Sequence, residues 1–210
     1  TLSALANAAR NGILFKGSAY LEDIGETKTI AFDKTGTLTH GRPALADVVS
    51  LDTGWSADRV LMLAASAERF SEHHMAMAIV RGAGERGLPL EEGTAFRAFP
   101  GMGIYARADG DEVLVGNRML FAEHGVTVPP MAEAEADRLR DEGKSAVFVG
   151  DRDGVRGLVA VADTLRASAR GVVEALKAEG ITRIVVLTGD NQRVADAIGA
   201  ELGIEEVYAD

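Results

Sequence analysis

Hydrophobic and polar positions along the chain fall into three stretches with different rhythms. Residues 2–11 set Leu2, Leu5, Ala6 and Ala9 on one face of a helix that Asn11-Gly12 ends. Ile13 to Ser18 leads to a short helix, Tyr20 to Ile24, and then to Thr29-Ile30-Ala31-Phe32, an apolar and β-branched run that reads as a short buried strand before a turn at Gly36. After Pro43 the rhythm changes. Ala44 to Leu51 alternates as a strand, Ser56 caps a helix running to about Ser66, and a second helix from near Glu72 to Arg86 is loosened by Gly82 and Gly84. Strands are predicted over 94–99, 103–108 and 112–115, the last two joined as a hairpin through Asp109-Gly110-Asp111. A helix from about Asn117 to Glu123, a charged one from Met131 to Glu142 and a strand over 146–149 complete an antiparallel sheet backed by helices. From Val155 the chain alternates strand (157–161), helix (167–179), strand (184–187), helix (192–202) and strand (206–208), and crossovers of that length imply a parallel sheet.

The predicted fold class is α/β. Residues 1–43 and 155–210 are expected to form one Rossmann-like domain, interrupted by an α+β domain of residues 44–154. Composition agrees: 210 residues, 47% of them hydrophobic, bury one or two ordinary cores. Twenty-two basic against 32 acidic residues give a net charge of −10, which argues against nucleic-acid and anionic-membrane partners. Without cysteine there is no disulfide framework, thiolate metal site or cysteine nucleophile, as fits a reducing cytoplasm. No apolar run approaches the ~20 residues that span a bilayer. A chain that begins at Thr1 and stops at Asp210, just after an apparent strand, has the look of a piece excised from something longer.

The chemistry centres on Asp33. The turn at Gly36 lifts its carboxylate to the C-terminal edge of the strand, where open α/β sheets bind ligands. A carboxylate attacks a phosphoryl group only when the donor's charge is neutralised, and Thr35, Thr37 and the amides around Gly36 are suitable donors. An acid two residues after the nucleophile would help water cleave the product. Thr35 cannot, so a phosphoenzyme should persist. Ile184 to Leu187 followed by Thr188-Gly189-Asp190-Asn191 repeats the geometry of a strand ending in a small polar loop. Two parallel strand ends lie side by side, which would let Thr188 and the Gly189 amide hold phosphoryl oxygens at Asp33.

Asp33-Lys34-Thr35-Gly36-Thr37-Leu38-Thr39 resembles the phosphorylation motif of P-type ATPases, ion pumps whose phosphorylation domain has the haloacid-dehalogenase fold. The likeness extends over essentially the whole chain. Thr188-Gly189-Asp190 is similar to the family's T-G-D motif, and Asp163-Thr164-Leu165-Arg166 to its D-x-x-R segment, although Asp163 also reads as a helix cap. Ala8 to Gly17 resembles the segment that links a membrane helix to the phosphorylation site in metal pumps. Glu68, Ser71-Glu72-His73, Gly101-Met102-Gly103 and Gly116-Asn117-Arg118 resemble the ATP-binding residues of heavy-metal (type IB) members.

That resemblance implies a phosphorylation domain interrupted by a nucleotide-binding domain, with ATP and Mg²⁺ as cofactors. Asp33, Lys34, Thr35, Thr37, Thr188, Gly189, Asp190 and Asp163 would surround the transferring group, with Asp33 and Thr35 on the metal. Glu68, Glu72, His73, Gly101, Gly103 and Asn117 would hold the nucleotide, glycine letting the backbone approach it. The implied partners are the membrane and actuator domains of a pump at the cytoplasmic face of a membrane, its transported metal ion bound elsewhere. The family's downstream lysine and G-D-G-x-N-D segment do not occur in these 210 residues, so the parallel sheet is expected to be incomplete at its C-terminal end. Nucleotide binding with little or no autophosphorylation is the expected behaviour. His74 stands where the family pattern S-E-H-P has proline, which leaves the start of that helix less pre-set. His73 and His74 are not a metal pair, because adjacent helical residues point about 100° apart. Tyr20 to Gly25 resembles zinc and cadmium pumps more than copper pumps.

Overall fold

Two sheets of opposite character organise the chain. The computed structural model describes residues 2–90, 94–108 and 110–209. In the first sheet β1 (Thr29–Asp33), β8 (Arg183–Thr188) and β9 (Glu206–Ala209) run parallel in the order β1-β8-β9. Helices α7 (Ala169–Ala178) and α8 (Gln192–Leu202) close one face of it, burying Val173, Val194, Ile198 and Leu202 against Ile184 and Val186. Asn191 caps α8 through its side chain and Gly203 ends it in the left-handed conformation, as the sequence pattern requires.

The second sheet has order β2-β7-β6-β5-β4-β3, antiparallel throughout: β2 Ala44–Ser50, β3 Thr94–Phe99, β4 Gly103–Ala108, β5 Asp111–Gly116, β6 Ser145–Asp151 and β7 Gly154–Ala162. Helices α3 (Ala57–Glu68) and α4 (His74–Glu85) pack on one face around Leu61, Leu63 and Ile79. On the other face α5 (Arg118–Glu123) and α6 (Pro130–Asp141) enclose Phe121, Leu139 and Phe148. Gly82, expected to loosen α4, seats it instead: a methyl group there would collide with Leu45 of β2.

One boundary differs from expectation. The strand over 157–161 was to join the parallel sheet after a change of domain at Val155, but β7 pairs antiparallel with both β2 and β6. The reason lies in Asp151-Arg152-Asp153-Gly154. Asp151 Oδ1 accepts the N–H groups of Asp153 and Gly154, closing a tight turn that returns the chain antiparallel. The chain therefore leaves the antiparallel sheet only after Ala162. It crosses between the lobes in two short segments, 39–43 outward and 163–166 on the return, stitched by His40 N–H to Thr164 O and Arg166 N–H to Leu38 O.

Two smaller differences concern ends. The helix expected from Glu72 begins at His74, because His73 turns its Nδ1 back to accept the Met75 N–H. At the N-terminus α1 (Leu2–Arg10) and α2 (Ser18–Glu26) form where expected, but α1 buries none of its residues, so its apolar face stays open among the described residues. Asp109 of the expected β4–β5 turn lies outside the described residues.

Candidate functional site

β1 ends at Asp33, in register with Leu187 of β8. The next residues on β8 and its loop are Thr188 and Gly189, so the three expected partners do meet: Asp33, Thr188 and Gly189 line one recess of about 380 Å³ with Leu187, Tyr208 and Ala209. The Asp33 side chain is exposed and makes no hydrogen bond among the described residues. A carboxylate held by its backbone yet unpaired at a strand's C-terminal edge is available to a ligand.

Behind Asp33 the chain makes a tight turn over Lys34–Leu38, with Gly36 at φ 80° where a side chain would be strained. Thr35 and Thr37 are exposed on this turn. Lys34 is turned inward. Its side chain is only 7% exposed, and its ammonium donates to Asp190 Oδ2. Asp190 is further fixed by Thr188, whose hydroxyl donates to Oδ2 at 3.2 Å and accepts the Asp190 N–H at 3.2 Å. Lys34, expected around the transferring group, is thus the brace that ties the β1 turn to the β8 loop.

Asp163 lines the cleft beside Lys34, Thr35 and Asp190, and it also holds the crossover segments. Its Oδ2 accepts the Thr39 hydroxyl at 2.5 Å and the Gly41 N–H at 3.1 Å, and its Oδ1 the Arg42 N–H at 3.2 Å. It does not cap α7, whose N-cap position is held by Ser168 without a side-chain capping bond. Arg166 completes this clamp by donating from Nε to Thr39 O and from Nη2 to Gly36 O, each at 3.0 Å. Both carboxylate oxygens of Asp163 are therefore spent on the crossover segments. Thr39, wholly buried, is the hub that motif reading passed over, although it closes the heptapeptide.

In the antiparallel lobe Glu68 is 8% exposed at the end of α3. Burial pushes its carboxyl up to about 7, against the Ser71 hydroxyl, which draws it down. Ser71 N–H donates to Glu68 O, and the His73 N–H to Ser71 Oγ, so one short loop carries Glu68 and His73 together. Glu72 is exposed on that loop. Gly101 has open space where a side chain would stand. Gly103 does not: an added Cβ would fall on the Val115 carbonyl oxygen, so its lack of a side chain serves a close approach to β5. Asn117 is similarly engaged, accepting the Met119 and Leu120 N–H groups as the cap of α5 and donating to Gly101 O at 2.8 Å.

A cleft of about 180 Å³ joins the two halves, lined by His73, His74 and Met75 from one lobe and by Lys34, Thr35, Asp163 and Asp190 from the other side. Asp33 faces the adjoining recess. Outside the cleft the lobes are also tied by Arg193 of α8, which donates to Asp141 of α6 at 2.9 Å and approaches Asp137 at 3.3 Å.

An unpaired aspartate at a parallel strand end, faced by a threonine–glycine loop and joined by a cleft to an antiparallel lobe, defines an α/β protein that presents a carboxylate to a ligand. Residues 27–210 match the haloacid dehalogenase-like hydrolases, and the chain belongs to that family. Within it, the chain is 41% identical over 203 residues to a copper-exporting P-type ATPase of Staphylococcus aureus (strain bovine RF122 / ET3-1), covering 97% of this chain and 24% of that protein. It is 42% identical over 207 residues to a copper-transporting P-type ATPase of Rhizobium leguminosarum bv. viciae, covering 99% and 24%. The crystal structure of a zinc-transporting PIB-type ATPase in its E2.Pi state superposes with a TM-score of 0.77 at 41% identity, over 99% of this chain and 33% of that one. The catalytic domain of the CPx-ATPase CopB-B superposes at 0.71 with 28% identity, over 98% and 70%. The chain spans about a quarter of the length of the curated relatives it matches. Relatives named for copper and for zinc are equally similar, so likeness in these lobes does not sort the metal.

Proposed function

We propose that this chain is the ATP-binding and phosphorylation portion of a metal-cation-translocating P-type ATPase, and that Asp33 is its phosphate acceptor. The observation that supports this most directly is the exposed, unpaired Asp33 carboxylate sharing a recess with Thr188 and Gly189. The nucleotide base lies at Glu68 and His73, and its phosphates run through the cleft towards Asp33. A carboxylate oxygen of Asp33 attacks the γ-phosphorus, and the bond from that phosphorus to the β–γ bridging oxygen breaks. The electron pair leaves on ADP, and an aspartyl phosphate remains. The Thr188 hydroxyl and the Gly189 N–H are donors for the charge that develops on the phosphoryl oxygens. With Thr35 two residues along, no acid/base group drives water onto the acyl phosphate, so its energy is kept for ion movement in the membrane part of the pump.

Mg²⁺ favours oxygen ligands, takes only one or two protein carboxylates and keeps waters or phosphate oxygens for the rest. The residues fit that habit: Asp163 and Asp190 are occupied, while Asp33 is unpaired beside Thr35, and these two would hold the ion. When bound, it would offset the negative charge of donor and acceptor. The reading is tested by titrating the chain with ATP and by labelling the intact pump with ATP carrying a radioactive γ-phosphate. Saturable ATP binding is expected, with hydroxylamine-labile label that Asp33→Asn abolishes. A chain that binds no nucleotide, or label that persists in Asp33→Asn, overturns it.

A further inference from the structure

The cleft between the lobes holds one side chain that this mechanism leaves unused. His74 is the first residue of α4, placed there because His73 takes the capping position. It lines the cleft beside His73 and faces Lys34 and Thr35 of the β1 turn, Asp163 of the crossover and Asp190 of the β8 loop. Its ring meets that of His73 edge-on, with centroids 6.3 Å apart, and makes no hydrogen bond among the described residues.

Within the lining the other cation is already paired, the Lys34 ammonium with Asp190, and His73 Nδ1 accepts the Met75 N–H. The Arg166 guanidinium is turned onto the Thr39 and Gly36 carbonyls. With one lysine against two aspartates, the lining without its histidines carries a formal charge of −1. A polyphosphate passing such a wall needs a cation or an N–H donor. His74 supplies a ring N–H, at the N-terminal end of a helix of 12 residues whose dipole favours an anion.

Resting on the nucleotide reading above, we propose that His74 binds the polyphosphate of the nucleotide as it crosses from Glu68 and His73 towards Asp33. It thereby makes the chain discriminate ATP and ADP from the bare nucleoside. Its role is specificity and not chemistry, since it stands on the lobe opposite the acceptor.

The test is titration calorimetry of ATP, ADP and adenosine, at fixed Mg²⁺ and fixed pH, into the wild-type chain, His74→Ala and His74→Gln. His74→Ala should weaken ATP about five-fold and leave adenosine unchanged, the scale of an ion pair in a partly open site. The ratio of ATP to adenosine affinity should therefore fall in His74→Ala, with His74→Gln keeping part of the gain as an uncharged donor. The state of Glu68 and the protonation of ATP itself are common to the three proteins and cancel between them. Equal weakening of ATP and adenosine, or an unchanged ratio, overturns the proposal while the nucleotide reading stands. Failure of the wild type to bind either ligand overturns both.

Discussion

Removing either partner of the Lys34–Asp190 pair should cost very different amounts. Lys34 is 7% exposed and Asp190 25%. In Asp190→Leu the ammonium stays buried without an acceptor, and truncating one side of a buried ion pair typically costs 3–5 kcal/mol. Because Asp190 is a quarter open to water, the low end applies, about 3 kcal/mol. In Lys34→Met the buried stem is replaced by an apolar chain of similar length. The carboxylate left behind keeps solvent and the Thr188 hydroxyl, so the loss should be about 1 kcal/mol. For a chain of this size Tm falls by roughly 2–4 °C per kcal/mol, so Asp190→Leu should melt about 6–12 °C below wild type and Lys34→Met about 2–4 °C below. Lys34→Met/Asp190→Leu should be more stable than Asp190→Leu alone, since the double change removes the stranded charge. Denaturant melts and calorimetric scans of the four proteins measure this directly. Strictly additive losses, or a Lys34→Met as damaging as Asp190→Leu, would mean that the brace between the two strand ends is not an energetic unit.

Three further outcomes follow from particular contacts. Glu68 is protonated more tightly in the folded chain, about 7 against 4.5, so its contribution is full below pH 4.5 and is lost as pH rises through 7, by up to about 3 kcal/mol. Glu68→Gln should flatten that decline in denaturant melts taken between these limits, and an unchanged slope would place the proton elsewhere. Asp163→Ala strips acceptors from Thr39, Gly41 and Arg42 and should cost about 2–3 kcal/mol, read as a lower Tm; a loss confined to ligand binding would show that Asp163 serves the ligand and not the crossover. Gly103→Ala should destabilise by more than about 2 kcal/mol, because the new methyl meets the Val115 carbonyl, whereas Gly101→Ala faces open space and bears only the roughly 1 kcal/mol of its positive φ; equal losses would refute the close approach.

Element types were legible because each carried a local signal. Ser56 announces a helix it does cap, and the apolar runs 29–32 and 184–187 lie in the strands that pair in parallel. The domain change at Val155 was misplaced because a short apolar run has no intrinsic sheet: Gly157 to Val161 fits a parallel or an antiparallel ladder equally well. What decides is the turn before it, and Asp151-Arg152-Asp153-Gly154 carries the decisive chemistry in one side chain, Asp151, reaching two amides. The start of α4 slipped for a related reason. Glu72 is as good a helix former as its neighbours, but the residue able to satisfy an orphan N–H from a non-helical backbone is His73.

The site was legible as a set of strand ends and much less so as a set of roles. Asp33, Thr188 and Gly189 meet because parallel register alone brings Asp33 beside Leu187, a consequence of topology that needs no side-chain detail. Lys34 with Asp190, and Asp163 with Thr39, pair across 156 and 124 residues, and no local pattern tells a charge that touches ligand from one that fixes the loop touching it. The distinction has a physical content. Of the acidic residues assigned to the transferring group, Asp163 and Asp190 are consumed in holding two loops still, and the one left unpaired is Asp33. An acceptor must approach a polyanion, and neighbouring aspartates repel the donor unless a cation offsets them. The brace and the clamp both fix the recess around Asp33, but only the brace pairs its aspartate with a cation. Asp163, held by neutral donors, leaves one net negative charge on the path along which His74 and the helix it begins would lead a phosphate chain.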